Sequence, residues 1–287
     1  MKLSDNTLGA IPGYFSQKLS EIYNHREATQ LAYWSIESVL NFTRSDVLLN
    51  SEKRLSESEI VSLVKITDRL RNHEPFEYIT GEAYFMHLKL KVTPHVLIPR
   101  PETEELVDWI ISDCKDRKNL FIRDIGTGSG CIALSLADIL KTAKIEATDL
   151  DQHVLELAAL NAKNLGLNVL FEKEDALHLT DSNKLYDVVV SNPPYIVQTE
   201  AETMGKNVID YEPHLALFVK SDPLEFYKSI ALYAEKALKP EGALYFELHE
   251  NYAQDTAEWI KQNTVFTLLE LRKDLQGKHR MLKCLRS

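Results

Sequence analysis

The chain has 287 residues, 44% of them hydrophobic and 26% charged, which suits one large folded domain plus a smaller one with a real core. A formal net charge of -10 argues against a protein that grips phosphate backbones, because such binding rests on clustered Lys and Arg that release counterions. Residues 1–95 hold 11 basic and 12 acidic groups and the remainder 22 and 31, so the acidic surplus lies in the later part and leaves room there only for a local basic groove.

The opening MKLSDNTLGAIPGYF lacks the apolar run of a signal peptide, and no stretch approaches ~18 apolar residues, so no membrane span is expected. Cys114, Cys131 and Cys284 are widely spaced with no CxxC pair. They read as reduced thiols of a cytoplasmic protein and not as a disulfide framework or zinc site. His25, His73, His87, His95, His153, His178, His214, His249 and His279 show no ligand spacing, and none is assigned to a metal.

The first ~75 residues read as helices. HREATQLAYWSIESVL places Ala28, Leu31, Ala32, Ser35, Ile36, Val39 and Leu40 on one face. Ser56 followed by Glu59 is a capping box, and Ile60, Leu63, Val64, Thr67 and Leu70 follow at helical spacing. This segment, bounded at 1–77, holds no catalytic constellation and reads as a packing or recognition module. From Tyr78 the texture changes: YFMHLKLKV alternates apolar and charged residues, and VLIPRPETEELV follows with two prolines that forbid a continuous ladder. Residues 78–98 are read as a hairpin-like linker.

Residues 99–287 form the second domain, and from about 105 strand and helix alternate. LFIRDIG, KIEATDL, NVLFEKED, LYDVVVSN and GALYFEL read as strands. GCIALSLADIL, QHVLELAALNAKNL, LEFYKSIALYAEKAL and NYAQDTAEWIKQ read as helices, and FTLLELRKD with HRMLKCLR closes the chain as a β-hairpin. The order predicts an α/β fold with a mostly parallel, doubly wound sheet, a C-terminal β-hairpin and a small helical domain in front; ligands would bind at the carboxyl ends of the strands.

Asp124-Ile125-Gly126-Thr127-Gly128-Ser129-Gly130 falls where the first of these strands turns into its helix. Small residues there let the backbone approach a ligand, and the helix N-terminus offers free N–H groups. A dinucleotide fingerprint would need Gly where Cys131 stands, so NAD is not the best reading. The DxGxGxG spacing is that of Rossmann-like methyltransferases, whose S-adenosylmethionine carries an amino-acid moiety in place of a pyrophosphate. Asp149, at the end of the second strand, can accept from both ribose hydroxyls, and Asp175, after the third, would border the adenine. Turn glycines and N-capping acids would leave a similar trace, but the loop and Asp149 together favour the cofactor.

Ser191-Asn192-Pro193-Pro194-Tyr195 follows the strand LYDVVV. Its prolines stop the ladder and fix the backbone, so the Asn192 side-chain oxygen and the Pro193 carbonyl become two rigid acceptors. An amide or exocyclic amine nitrogen is a poor nucleophile because its lone pair is delocalised. Two acceptors on its N–H groups aim that lone pair and favour the charge developing on nitrogen. The Tyr195 ring supplies a flat surface for a planar group. Asn192, Pro193 and Tyr195 are thus the candidate catalytic residues. The motif itself leaves adenine N6, cytosine N4, guanine N2 and glutamine amides open.

The segments EPFEYITGEAYFMHLKLKV, VLIPRPETEELV, DIGTGSGCIALSLA, ATDLD, DVVVSNPPYI, YEPHLALF, FYKSIA and DLQGKHRML carry a likeness over nearly the whole chain. It resembles the HemK/PrmC-type peptide chain release factor N5-glutamine methyltransferases. NPPY is shared with many nitrogen methyltransferases, whereas VLIPRPETE after YITGEAYF is far more specific to this family. The resemblance implies a helical domain that helps dock the release factor and a catalytic domain that receives the glutamine of its Gly-Gly-Gln loop. By position, Gly126, Thr127, Gly128, Ser129, Gly130 and Asp149 would bind S-adenosyl-L-methionine, with Asn192 at its edge. Asn192, Pro193, Pro194 and Tyr195 would hold the glutamine amide, with Arg100, Pro101, Glu102 and Thr103 beside that pocket. The family's usual EPRxALxGG stands here as Glu212-Pro213-His214-Leu215-Ala216-Leu217-Phe218, and its EIG as Glu247-Leu248-His249. The competing readings are a methyltransferase acting on adenine N6 or guanine N2 of a nucleic acid and, more distantly, a non-catalytic cofactor-binding scaffold. The acidic balance and the lack of a basic stretch interleaved with aromatics weigh against the first, and the intact loop and NPPY against the second.

Overall fold

A computed structural model of the chain describes residues 5–180 and 184–287; residues 1–4 of the predicted helical domain lie outside the described residues. The chain forms two compact units: one comprises residues up to Gly81 together with Gly205–Tyr211, the other Glu82–Met204 and Glu212–Ser287.

The first unit is helical: α1 Ile11–Leu19, α2 His25–Leu40, α3 Arg44–Leu49, α4 Glu57–Arg71 and α5 Phe76–Thr80. α2, α3 and α4 each begin with a reciprocal capping box, on Asn24/Glu27, Thr43/Asp46 and Ser56/Glu59. Each box satisfies two amides that the first turn leaves free, worth roughly 1 kcal/mol apiece. Leu8, Ile11, Phe15, Ala28, Ile36, Leu63 and Leu70 form the core of this unit and are fully buried. Gly205–Tyr211 rejoins it from far along the chain, and the Tyr211 hydroxyl donates to the Asn72 carbonyl at 2.7 Å.

The second unit opens with the hairpin β1 Glu82–Phe85 and β2 Leu88–Lys91, then α6 Pro101–Cys114. The hairpin turns at Met86–His87, with Met86 at φ 51. Then come β3 Phe121–Ile125, α7 Cys131–Ile139, β4 Lys144–Asp149, α8 Gln152–Leu165, β5 Leu170–Lys173 and β6 Tyr186–Ser191. After short elements β7 Ile196–Val197, α9 Lys206–Ile209, α10 His214–Leu217 and β8 Phe218–Val219, the chain finishes with α11 Glu225–Ala237, β9 Leu238–Glu247, α12 Ala253–Asn263, β10 Phe266–Lys273 and β11 His279–Arg286. Of these short elements α9 belongs to the helical unit.

The main sheet runs β10-β11-β9-β6-β3-β4-β5, parallel from β9 through β5 and antiparallel at the terminal hairpin. This is the α/β fold that the strand–helix alternation predicts. Successive side chains of a strand point to opposite faces. Val188 and Val190 of β6 with Ala243 and Tyr245 of β9 therefore join one core with Leu106, Ile110, Ile132 and Leu136. Val189, Leu244 and Phe246 join the other with Tyr227, Ile230, Ala234 and Ile260. Strand order reverses between β3 and β6, and such a switch point opens a crevice at the carboxyl ends.

Candidate active site

Both sequence motifs issue from this switch point. The Ser191 hydroxyl, at the end of β6, donates to the Ile125 carbonyl at the end of β3 at 2.6 Å, tying the two strand ends together. After Ile125 the chain turns through Gly126 at φ 75 and Gly128 at φ 55, the left-handed region that disfavours a side chain. Among the described residues, neighbours in the chain aside, no heavy atom would lie within 4 Å of a Cβ at either position, so conformation and not crowding calls for glycine, and the loop is open to a ligand. The Gly126 and Thr127 amides each donate to the Thr148 carbonyl at 2.9 Å, and the Gly128 amide donates to Asp149 Oδ2 at 3.0 Å. Gly130, at φ 85, then caps α7, whose N-terminus completes the cradle.

Asp124 is fully buried, and its Oδ2 accepts from the Thr127 hydroxyl at 2.7 Å. Burial pushes its carboxyl up to about 7, against the lowering by the Thr127 bond. Burial also raises Asp149, opposed by the amides of Gly128, Asp151 and Leu150. The Ser129 hydroxyl is likewise buried, beside the Cys131 thiol. Asn161 of α8 braces the loop: its amide nitrogen donates to the Ser129 and Lys91 carbonyls at 3.0 Å each, and its oxygen accepts from the Lys91 amide at 2.7 Å. Asp175 stands one residue past Glu174, whose amide donates to the Asp149 carbonyl at 3.0 Å. Its own carboxylate accepts from the Leu177 amide at 2.9 Å and lies 2.8 Å from His178 Nδ1.

Asn192 follows Ser191 directly, and its amide nitrogen donates to the Thr103 hydroxyl oxygen at 3.2 Å. Thr103 sits in the first turn of α6 and donates in turn to Glu247 Oε2 at 2.5 Å. The parallel register pairs Ser191 with Phe246, which brings Glu247 alongside Asn192. Burial drives the Glu247 carboxyl up to about 7, with the Thr103 bond and Arg280 working the other way. Pro193 is buried, whereas Pro194 and Tyr195 are half-buried. The Tyr195 ring lies 5.4 Å from the His249 ring, and burial raises the tyrosine hydroxyl far above its ordinary value. Thus the histidine that departs from the family's glycine becomes a wall for Tyr195, held by a 3.2 Å contact to Glu200, which also accepts from the Tyr252 hydroxyl at 2.6 Å.

Arg100 forms an ion pair at 2.6 Å with Glu212, whose side chain is completely buried, and Glu212 also accepts from the Ile98 amide at 3.4 Å. The glutamate of the altered 212–218 segment therefore anchors the segment before α6. Glu102 accepts from the Gln276 side chain at 3.3 Å, and the Leu275 amide reaches Glu105 at 3.2 Å, so the turn between β10 and β11 closes over the start of α6.

The structure therefore joins the glycine loop to Asp149, and Asn192 to the Arg100–Thr103 segment. It holds Asp175 mainly in a local turn. Sequence reasoning passed over Asp124, Asn161, Glu212 and Glu247 as site residues and treated Thr103 only as a neighbour. The carboxylate that opens the glycine motif was the sequence signal that pointed to Asp124.

Residues 14–81 match the PrmC N-terminal domain, and residues 106–213 the methyltransferase small domain. The chain is 38% identical over 273 residues to the release factor glutamine methyltransferase of Flavobacterium psychrophilum, covering 94% of this chain and 95% of that one. It is 40% identical over 277 residues to the protein of the same name from Bacteroides thetaiotaomicron, covering 96% and 99%. The chain belongs to the release factor glutamine methyltransferase family. A methyltransferase from Pyrococcus furiosus shares the fold at a TM-score of 0.53 and 18% identity, covering 70% of this chain and 90% of that one.

As a member of that family the chain is an S-adenosylmethionine-dependent methyltransferase, and its residues suit the cofactor. The open glycine turn leaves space at the helix N-terminus. Asp149 accepts from backbone amides at both oxygens and keeps lone pairs for further donors. Among the described residues no group of three or more His, Cys, Asp or Glu is placed to hold a metal ion, and no helix is long and apolar enough to cross a membrane.

Proposed function

We propose that this methyltransferase acts on the side-chain amide nitrogen of the glutamine in the Gly-Gly-Gln loop of peptide chain release factors. The observation that carries the reading is the orientation of Asn192: its amide nitrogen is committed to Thr103, which leaves Oδ1 as an acceptor at the β3/β6 switch point. When bound, S-adenosylmethionine supplies an electrophilic methyl group on sulfonium. The chain's task is to hold it and to present a reluctant nucleophile. Gly126, Thr127, Gly128, Ser129 and Gly130 line its amino-acid end, Asp149 accepts from the ribose hydroxyls, and Asp175 borders the adenine. Asn192 Oδ1 and the Pro193 carbonyl accept from the two N–H groups of the substrate amide. Each acceptor turns the nitrogen lone pair toward the methyl and becomes a better partner as positive charge grows on that nitrogen. Tyr195, backed by His249, covers the flat face of the amide, and Pro194, Arg100 and Glu102 frame the entrance. No base is needed before transfer, since the proton leaves the product nitrogen afterwards.

The helical unit is proposed to dock the release factor, since it has a core of its own and the other unit already holds every candidate site residue. Free thiols at all three cysteines and a translation factor as substrate support a cytoplasmic location. The deciding experiment offers labelled S-adenosylmethionine with purified release factor, duplex DNA and ribosomal RNA in parallel. Label is expected in the release factor and must vanish when the loop glutamine is replaced. Label in nucleic acid and none in the release factor would overturn the substrate assignment.

A further inference from the structure

The three groups Asn192, Thr103 and Glu247 come from β6's end, the first turn of α6 and the end of β9, and they form one chain of hydrogen bonds. Thr103 and Glu247 are each 2% exposed, so water does not compete for these bonds. A hydroxyl carries a single hydrogen. With Glu247 ionised, that hydrogen goes to Oε2, and toward Asn192 the Thr103 oxygen can only accept. The amino edge of the Asn192 carboxamide must then face Thr103 and its oxygen the opposite way. The flipped amide would set two oxygens against each other at about 3 Å with no hydrogen between them, an unmade bond at a buried site.

We propose that Thr103 and Glu247 are positioning residues that fix which edge of Asn192 meets the substrate amide. This rests on the proposed glutamine-methylating function for its catalytic consequence. It does not rest on it for the orientation itself. The polarity of the chain depends on the charge of Glu247: once protonated, the carboxyl donates to Thr103, whose hydrogen is released toward Asn192 Oδ1, and the acceptor edge is lost. The charged and titratable groups facing Glu247 are Arg280 from β11, Arg100 and Glu102 at the start of α6, Tyr195 after β6, Tyr227 from α11 and Cys131 from α7. The two arginines favour the carboxylate, whereas Glu102 and burial oppose it.

The test compares Thr103→Val, which keeps the shape and removes the hydroxyl, with Thr103→Ser, which keeps the hydroxyl, and with Glu247→Gln. Thr103→Val is expected to lower kcat on release factor by about 10- to 100-fold while KM and cofactor Kd move by less than about threefold; Thr103→Ser restores most of the loss. Wild-type kcat falls as pH drops below 7, and Glu247→Gln loses that dependence, which separates Glu247 from Asp124. The substrate-independent readout is the Asn192 side-chain ¹⁵N–¹H pair, assigned by its disappearance in Asn192→Ala. Its hydrogen-bonded proton exchanges slowly in the wild type and faster in Thr103→Val. An unchanged Asn192 signal, equal losses in the Val and Ser variants, or a wild-type pH dependence of kcat in Glu247→Gln would each overturn the proposal. Should Thr103→Val fail to fold, Glu247→Gln and the Asn192 signal decide. If the wild type leaves release factor unmethylated while the Asn192 signal responds, the substrate reading falls and the positioning role stands.

Discussion

The Gly128 amide donates to Asp149 Oδ2 at 3.0 Å, so the glycine loop after β3 and the acidic end of β4 are set against each other by a direct bond. A carboxylate held in this way is aimed before any ligand arrives, and charge-assisted bonds to two hydroxyls are stronger than neutral ones. Asp149→Ala is therefore expected to weaken S-adenosylmethionine binding by roughly 1.5–3 kcal/mol, through lost ribose contacts and a loosened Gly128. Calorimetry with the purified variant measures this directly, and an unchanged affinity would remove Asp149 from the cofactor site.

Asn161 offers a different kind of test, because its side chain hydrogen-bonds to backbone groups. Its three bonds satisfy the Lys91 amide, the Lys91 carbonyl and the Ser129 carbonyl, while Asn161 itself is 1% exposed. Asn161→Leu leaves those groups unpaired in a dry interior and is expected to cost about 2–4 kcal/mol of stability. Urea unfolding reports the loss. A variant as stable as the wild type would show that the β1–β2 hairpin and the glycine loop do not depend on this brace.

The pH dependence of stability has a sign that the buried carboxyls dictate. Asp124 in the folded chain lies near about 7, above its ordinary 3.8, because burial disfavours the charge. The folded state then holds the proton more tightly than the unfolded one. The stabilisation from this group is complete below about pH 4 and lost as pH rises through 7, on the order of 2–4 kcal/mol in all. Asp124→Asn, which mimics the protonated form, should match the wild type only below about pH 4 and exceed its melting temperature by a growing margin up to pH 8. Glu247, raised by burial to about 7 as well, contributes to the slope that remains. Identical wild-type and variant curves at pH 8 would mean that Asp124 is not held above its ordinary range.

How much of this was readable in the chain depended on distance along it. The capping box at Ser56/Glu59 and the helical span His25–Leu40 follow from local signals and stand in the structure where the pattern sets them. α6 did not announce itself, because Pro101 reads as a strand breaker when it in fact occupies the first helical turn, where a missing N–H costs nothing. The return of Gly205–Tyr211 to the helical unit had no compositional mark at all. The glycine loop and NPPY were legible because strand–turn–helix order alone puts both at the switch point. The Asn192–Thr103–Glu247 chain was not. Its members are separated by 89 and 144 residues, and only the parallel pairing of β6 with β9 and the docking of α6 bring them together.

The sharpest functional prediction concerns Asn192. Its side chain has two jobs that one atom type each performs: the nitrogen anchors on Thr103 and the oxygen remains for the substrate. A bond to a substrate N–H strengthens as positive charge develops on the nitrogen, so its loss is felt more in the transition state than in the ground state. Asn192→Ala is therefore expected to reduce kcat on release factor by on the order of 10²-fold or more, with a smaller change in KM. Cofactor affinity should stay within about twofold, because the glycine loop and Asp149 are untouched. The ratio of the two effects carries the argument. If kcat and cofactor affinity fell together, Asn192 would be a structural support of the cofactor site. If KM alone rose, it would contribute only ground-state binding. A large loss in kcat with cofactor binding preserved, measured by steady-state kinetics and calorimetry on one preparation, is the pattern expected of an acceptor that orients a delocalised nitrogen for methyl transfer.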